Sequence, residues 1–381
     1  MRAILRQLRN PHRAYSTVIV AGTNGKGSTA ATLASIFKES GYVTGLYTSP
    51  HLVDIHERWM IGGAVIDDRL LEQSVDLLRK ASAATGVTPT YFEALTIVAF
   101  IAFRLAKCEV VVLEVGMGGR LDATNVVRPI ASVITPIGFD HTEFLGSTLR
   151  RIAREKAGVI HRGAVVLTSN DDPAVIEVLR RRAETFGNRF HRVTTEHDTP
   201  LPGEFQRRNA ALAVRTAEEL MTALPRITSA TIDRGVARVR WRGRLEQMAI
   251  GRKDVWIDGC HNAHAVTAVL PFIEQHIRTP RLLVFGIMGD KDVSEVVSLL
   301  FPRFDKVITT EPYPPRSATA SDLADRARTY GVPAEAVADP EEAFARAVAS
   351  EESSIFIGGS LYLAGAAVAF FDTLRGEESD R

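Results

Sequence analysis

A β-branched run and a glycine-rich turn meet in Val18-Ile19-Val20-Ala21-Gly22-Thr23-Asn24-Gly25-Lys26-Gly27-Ser28-Thr29, and a helix-like pattern follows over residues 30–40. Glycines let backbone N–H groups close on phosphate oxygens, the helix N-terminus offers partial positive charge, and Lys26 adds a full one. The spelling differs from the usual G-x-x-x-x-G-K-[ST] because Gly27 stands between Lys26 and Ser28. We therefore predict a nucleoside-triphosphate site here, in preference to a plain turn with an exposed lysine.

Composition and charge narrow the class of protein. The chain has 381 residues. A single hydrophobic core rarely supports a chain of this length, so two domains are expected. A formal net charge of +1 offers no general field for nucleic acid or an anionic membrane. Two cysteines cannot form a disulfide framework, which favours a reducing, cytoplasmic compartment.

Apolar β-branched runs alternate with helix-patterned stretches along the chain, which predicts an α/β fold with mostly parallel sheets. The rhythm breaks near residues 241–254. We therefore predict a P-loop ATP-binding domain with a mostly parallel central sheet over residues 1–245, a linker over 246–253, and a smaller Rossmann-like α/β domain over 254–381.

Polar side chains directly follow several of the apolar runs. Glu114 ends one run, where a bare carboxylate is costly unless a cation such as magnesium binds it. Asp140 and His141 follow another run, and Ser49 could offer a hydroxyl to the metal. Because ligands bind at the carboxyl ends of strands in open α/β sheets, we expect these groups to lie at one edge.

In order, these segments resemble the folylpolyglutamate synthase/dihydrofolate synthase family, a branch of the Mur ligase superfamily. The resemblance covers roughly residues 8–370 and rests on ordered motifs: A-G-T-N-G-K-G-S (21–28), T-S-P-H-L (48–52), F-E-A-L-T (92–96), E-V-G-M-G-G-R-L-D-A-T-N (114–125), F-D-H-T-E-F-L-G (139–146), E-K-A-G-V-I (155–160), Q-R-R-N-A-A-L-A (206–213), G-R-L-E (243–246), D-G-C-H-N (258–262) and F-G-I-M-G-D-K-D (285–292).

The resemblance implies an ATP-dependent ligase that joins L-glutamate to the carboxylate of dihydropteroate, of (tetrahydro)folate polyglutamates, or of both. ATP phosphorylates the carboxylate, and the amine of glutamate attacks the resulting acyl phosphate. The protein mainly neutralises charge on the moving phosphoryl group and aligns the nucleophile. The resemblance also implies ATP and Mg²⁺ as cofactors, small-molecule substrates without nucleic-acid or membrane partners, and a monomer.

Residue roles follow from the same resemblance. ATP-binding positions are Asn24, Gly25, Lys26, Gly27, Ser28, Asn209, Arg244 and Asp258. Ser49 and Glu114 match ligands of the magnesium bound to ATP, and His141 with Glu114 matches ligands of a second magnesium near the acyl phosphate. Catalytic roles fall to Lys26, His141 and Lys156, the last matching a lysine that is carbamylated in this family. Positions facing the pterin-bearing substrate are Thr90, Phe92 and Asp122, and His261 is expected near the incoming glutamate. Arg244 and Asp258 stand on either side of the predicted domain boundary, so we expect closure during turnover.

Two features depart from the family pattern. The chain begins only a turn or two of helix before its first predicted strand, so we expect either a start placed late or a more open pterin pocket. The family's D-G-A-H-N-P also reads D-G-C-H-N-A over residues 258–263.

Two other interpretations stay open. One is a Mur-type amide ligase acting on a non-folate acid and another amino acid, although Phe92, Asp122 and the D-G-C-H-N segment (258–262) argue against it. A P-loop protein that only hydrolyses or senses ATP would have no need of Glu114, His141 and Lys156 together. Dependence of ATP turnover on an added carboxylate and amino acid separates a ligase from such a sensor.

Overall fold

The computed structural model describes residues 1–379 and divides into two compact units. The first unit comprises Met1–Pro200 and Gln206–Arg240, and the second comprises Leu201–Phe205 and Trp241–Arg381. Each unit has its own mostly parallel sheet, which confirms the predicted fold class. Residues 380 and 381 of the predicted C-terminal domain lie outside the described residues.

The first unit is built on an eight-stranded sheet. Its strands are β1 (Ser16–Ala21), β2 (Thr44–Tyr47), β3 (Trp59–Ile61), β4 (Ala64–Val65), β5 (Val110–Glu114), β6 (Ala131–Ile134), β7 (Val165–Thr168) and β8 (Phe190–Arg192). The order across the sheet is β4-β3-β2-β5-β1-β6-β7-β8, and only the β2–β3 and β3–β4 pairs of this described sheet are antiparallel. Because β1 lies between β5 and β6, the strand order reverses beside it. Open α/β sheets bind their ligands at the carboxyl ends of the strands at such a point.

Helices cover both faces of this sheet, as continuous buried strands require. They are α1 (Arg2–Gln7), α2 (Lys26–Glu39), α3 (Asp68–Thr85), α4 (Tyr91–Leu105), α5 (Thr142–Leu145), α6 (Leu149–Lys156), α7 (Pro173–Thr185), α8 (Glu204–Leu220) and α9 (Ser229–Arg238). Side-chain caps start several of them, because Asp67 accepts from Leu70 N and Asp172 accepts from Ala174 N.

The second unit has a six-stranded sheet in the order β13-β12-β11-β14-β10-β9, formed by β9 (Glu246–Ile250), β10 (Lys253–Ile257), β11 (Arg281–Phe285), β12 (Lys306–Thr309), β13 (Ala334–Ala336) and β14 (Ser354–Gly358). Its helices are α10 (Ala263–His276), α11 (Val293–Leu300), α12 (Ala320–Thr329), α13 (Pro340–Ala349) and α14 (Leu361–Ser379).

The segment predicted as a linker, 246–253, differs from the prediction. Its residues form β9 and the turn into β10, and β9 pairs with β10 in antiparallel register. The edge strand completes the second sheet, since Met248 and Ile250 point into its core and are buried. The predicted domain limits otherwise stay a prediction.

Along the described part of the chain, no helix is both long enough and apolar enough to cross a lipid bilayer.

Candidate active site

The phosphate loop forms where β1 ends and α2 begins, as predicted. Gly25 caps α2 with a φ of +82°, and a Cβ there would lie 2.4 Å from Asn209 Oδ1. Gly22 has a φ of +149°, and a Cβ there would lie 1.8 Å from Thr135 Oγ1. Both positions therefore require glycine, and Asn209 lies directly against the loop.

Thr23 fastens the loop to the segment that follows β6. Its N–H donates to Pro136 O at 3.0 Å. Its hydroxyl accepts from Gly138 N at 3.1 Å and can donate to Gly138 O at the same distance. Lys26 Nζ donates to Thr23 O at 2.9 Å, so the lysine ammonium is held within the loop.

Asn170, which sequence reasoning missed, holds the same segment from β7. The side chain is buried. Its Oδ1 accepts from Ile137 N at 2.7 Å, and its Nδ2 donates to Thr135 O at 3.0 Å and to Thr168 Oγ1 at 2.7 Å. Asn170 thus links β7 to the segment that carries Asp140 and His141. An Asn shortly after an apolar run was the only available signal.

Ser49 and Glu114 lie together at the carboxyl ends of β2 and β5. Ser49 N donates to Glu114 Oε2 at 3.2 Å, and Glu114 is buried. The Ser49 hydroxyl oxygen is buried and has no hydrogen-bond partner among the described residues. A buried hydroxyl oxygen beside a carboxylate fits Mg²⁺, which takes a few protein oxygens together with water and phosphate. Within residues 1–379, no group of three or more His, Cys, Asp and Glu residues is arranged as a metal site.

His141 stands at the start of α5 with a φ of +50°. Its backbone N–H donates to Asp140 Oδ1 at 2.9 Å, and its Nε2 lies 3.9 Å from the same oxygen. The imidazole is about one-third exposed, at 35%, so an outside ligand can reach it. Its role as a metal ligand stays a prediction.

Lys156 ends α6 with its amine buried at the phosphate loop. Nζ donates to Gly22 O at 2.6 Å, and the residue is 4% exposed. Burial, and after it the charge of Lys26, lower the pKa of the Lys156 amine to about 7. A solvated helical lysine is thereby excluded, and a large fraction of the amine is neutral near pH 7.

Phe92 lies over the loop that follows β5. A Cβ on Gly116 would be 2.5 Å from Phe92 Cζ, so the glycine makes room for the ring. The Tyr47 ring packs against the Phe92 ring, with the two ring centroids 6.3 Å apart. The two rings, which we call the aromatic wall, lie beside the loop that follows β5. That Phe92 faces a pterin stays a prediction.

Asp122 and Thr90, predicted on the substrate side, also have structural roles. Asp122 accepts four hydrogen bonds, from Gly116 N, Met117 N, Thr124 N and Thr124 Oγ1, and so shapes the loop after β5. These donors match the four or so lone-pair sites of a carboxylate. Burial raises the pKa of Asp122. The Thr90 hydroxyl accepts from the backbone of α4 as its N-cap.

Gln206 is a second residue that sequence reasoning missed. It is buried one turn before Asn209 on α8, and its Oε1 accepts from Asn209 Nδ2 at 3.0 Å. Its Nε2 is buried and has no partner among the described residues. The signal was present, because Q-R-R-N places both amides on one helix face beside the phosphate loop.

In the second unit, Asp258 follows β10 and is buried. Its carboxylate accepts from Leu245 N at 2.9 Å and from Cys260 N at 2.8 Å. Burial raises the pKa of Asp258, and the Arg244 guanidinium opposes this rise. His261 Nδ1 lies 2.8 Å from Gly259 O.

The comparisons with known proteins identify the family of both parts of the chain. A Mur ligase middle domain matches residues 20–199, and a Mur ligase glutamate ligase domain matches residues 243–361. The dihydrofolate synthase/folylpolyglutamate synthase of Bacillus subtilis is 32% identical over 403 aligned positions, covering 95% of this chain and 92% of that protein.

Solved structures are similar over nearly the whole chain. Mycobacterium tuberculosis folylpolyglutamate synthase complexed with ADP and AMPPCP has a TM-score of 0.90 at 30% identity, covering 97% of this chain and 94% of that one. E. coli FolC in complex with DHPP and ADP has a TM-score of 0.86 at 28% identity, covering 98% and 92%. The chain therefore belongs to the folylpolyglutamate synthase/dihydrofolate synthase family of Mur ligases and is an ATP-dependent ligase.

Proposed function

We propose that this chain joins L-glutamate to the carboxylate of dihydropteroate, of (tetrahydro)folate polyglutamates, or of both. The observation that supports this most is the convergence of the phosphate loop, the Ser49–Glu114 pair, Lys156 and the Phe92 ring at one sheet edge. A phosphate donor, a metal and an aromatic acid are then held by neighbouring groups.

Phosphoryl transfer needs charge neutralisation more than covalent help. The backbone N–H groups of Asn24, Gly25, Gly27 and Ser28 are assigned to the phosphates of ATP, with Lys26 supplying the positive charge. Asn209, Arg244 and Asp258 are assigned to the rest of the nucleotide. A carboxylate oxygen of the acid attacks the γ-phosphorus, and ADP leaves.

Ser49 and Glu114 would hold the Mg²⁺ that is bound to ATP, and His141 together with Glu114 would hold a second Mg²⁺. These ions would supply charge stabilisation for the transferring phosphoryl group. The unpartnered Ser49 hydroxyl oxygen supports this assignment.

Lys156 is proposed to act as a carbamate. Its amine nitrogen attacks CO₂ only when neutral, loses a proton and becomes an anion with two oxygens. The pKa of about 7 supplies the neutral amine, and an anion beside the phosphate loop attracts a cation where an ammonium would repel it.

Thr90, Phe92 and Asp122 are assigned to the pterin-bearing acid and His261 to glutamate. Phe92 offers the ring for stacking, whereas Thr90 and Asp122 contribute mainly by fixing α4 and the loop after β5. We further propose that the chain is a monomer, and that it works in the cytoplasm, the compartment that two free, buried cysteines favour. The N-terminal domain is proposed to end close to residue 245, and the C-terminal domain to include β9 and β10.

The test is ADP release by the purified chain with ATP, Mg²⁺ and L-glutamate, adding dihydropteroate or tetrahydrofolate in separate reactions. The proposal expects stimulated turnover with at least one acid and one glutamylated product per ADP. Turnover with neither acid, but with another acid and amino acid, would favour the Mur-type ligase with a non-folate substrate. Turnover that no acid stimulates would contradict ligation.

A further inference from the structure

Arg58 is a buried cation without an acidic partner. It ends the 3₁₀ turn Ile55–Arg58 and is 7% exposed. Its Nε donates to His51 Nδ1 at 2.9 Å, and no carboxylate of the described residues lies within ion-pair distance of its guanidinium. Burial of an uncompensated charge is costly, so such a group indicates a missing anion.

The nearest carboxylate along the chain has another task. Glu57 accepts three backbone N–H groups, from Leu52 at 2.7 Å and from Val53 and Asp54 at 3.0 Å each. These bonds hold the loop after Ser49 in its turn. Glu57 therefore shapes the loop that carries His51 and does not neutralise Arg58.

Arg58 lies beside the aromatic wall. The antiparallel register of β2 and β3 pairs Tyr47 with Trp59, the residue after Arg58. Burial raises the pKa of the Tyr47 hydroxyl to about 12, and the Arg58 guanidinium close to it opposes the rise. The Tyr47 ring in turn contacts Phe92. The unpaired positive charge is thus next to the surface assigned to the acid.

We propose that Arg58 binds a carboxylate of the acid substrate. A guanidinium forms two parallel hydrogen bonds with a carboxylate, which fixes its orientation as well as its affinity. The carboxylate is either the one that is phosphorylated or the α-carboxylate of a glutamate already attached. This inference rests on the proposed function.

The experiment compares wild type, Arg58→Gln and Arg58→Lys. It measures KM for ATP, dihydropteroate and tetrahydrofolate, and the inhibition constant of a dihydropteroate analogue that lacks the carboxylate. A charged hydrogen bond contributes about 10- to 100-fold in affinity, so Arg58→Gln raises KM for the acid by that factor. Arg58→Lys gives a smaller rise in KM for the acid because it keeps the charge. In both variants, KM for ATP stays within about twofold of the wild-type value.

Arg281→Gln is the matched control. Arg281 is also buried, at 8% exposure, but its guanidinium donates to the backbone oxygens of Ile273, Ile277 and Arg303. Its loss lowers the unfolding temperature and leaves KM for the acid unchanged.

The outcomes test the role of Arg58 separately from the proposed function. A KM rise for both acids assigns Arg58 to the reacting carboxylate, and a rise for tetrahydrofolate alone assigns it to the attached glutamate. Unchanged KM values in Arg58→Gln, or equal weakening of the analogue without a carboxylate, overturn the inference while the proposed function stands. A wild-type chain that uses neither acid refutes the proposed function and this inference with it.

Discussion

Replacing Lys156 by methionine should change how stability depends on pH. Methionine keeps the length of the side chain but carries no charge, and Lys156 is 4% exposed, so its protonation is strongly coupled to folding. The pKa falls from 10.5 to about 7 on folding because burial penalises the ammonium. Below about pH 7 the amine is protonated in both the native and the unfolded state, so the native state carries the full free-energy cost of burying the ammonium.

The sign and size follow from proton linkage. Between pH 7 and the unfolded pKa, the unfolded chain binds more protons than the native one, so the unfolding free energy of wild type rises with pH. Each pH unit of full difference is about 1.4 kcal/mol. Half of the native amine is still protonated at pH 7. From pH 7 to pH 9 the unfolding free energy of wild type should therefore rise by about 2 kcal/mol relative to that of Lys156→Met.

Urea unfolding in CO₂-free buffer measures this difference. Trp59 becomes a reporter of the first unit alone when Trp241 and Trp256, which lie in the second unit, are replaced by phenylalanine. Lys80→Met, which removes an exposed lysine from α3, is the control for loss of a surface charge. A difference between wild type and Lys156→Met that does not change with pH would refute the reasoning.

Three further substitutions test the site. Gly25→Ala places a Cβ 2.4 Å from Asn209 Oδ1 and should weaken ATP binding, measured by calorimetry, at least about tenfold. The control, Gly86→Ala, has a φ of +65° and open space around the new Cβ, so it should cost about 1 kcal/mol of stability and leave ATP binding unchanged. An ATP affinity of Gly25→Ala equal to that of wild type would contradict this. Asn170→Ala removes the hydrogen bonds that hold the segment after β6, so it should lower the unfolding free energy in urea by about 3 kcal/mol and raise KM for ATP. A KM for ATP equal to that of wild type would contradict this. Asp122→Asn puts an amide where backbone donors point and should cost about 2 kcal/mol; a higher KM for dihydropteroate at unchanged stability would instead indicate direct substrate contact.

The local parts of the site could be predicted from the sequence because neighbouring residues determine them. The phosphate loop is a strand, a turn and a helix in succession, and Gly25 adopts the positive φ that such a turn needs. Glu114 ends a strand that reads as one continuous apolar run, so its burial at the sheet edge follows from pattern alone. The prediction that the chain ligates glutamate rests on the family resemblance, which depends on the order of many motifs along the chain.

The long-range parts could not be predicted in this way. Asn170 bonds Ile137, a contact 33 residues apart in the chain, and Lys156 bonds Gly22, 134 residues away. Such pairs depend on strand order and register, which no single segment encodes. The sequence pattern predicts a linker where the edge strand β9 lies, because the alternation of Met248 and Ile250 on one face is weak beside the polar residues around them.

The most direct test of acyl phosphate formation follows an oxygen atom. Dihydropteroate labelled with ¹⁸O in its carboxylate, or tetrahydrofolate labelled in its γ-carboxylate, is turned over with ATP, Mg²⁺ and L-glutamate, and the released phosphate is analysed by mass spectrometry. The carboxylate oxygen that attacks ATP leaves with the phosphate when glutamate displaces it, so one labelled oxygen per turnover is expected in phosphate. Unlabelled phosphate, or label in AMP, would contradict an acyl phosphate and with it the proposed reaction.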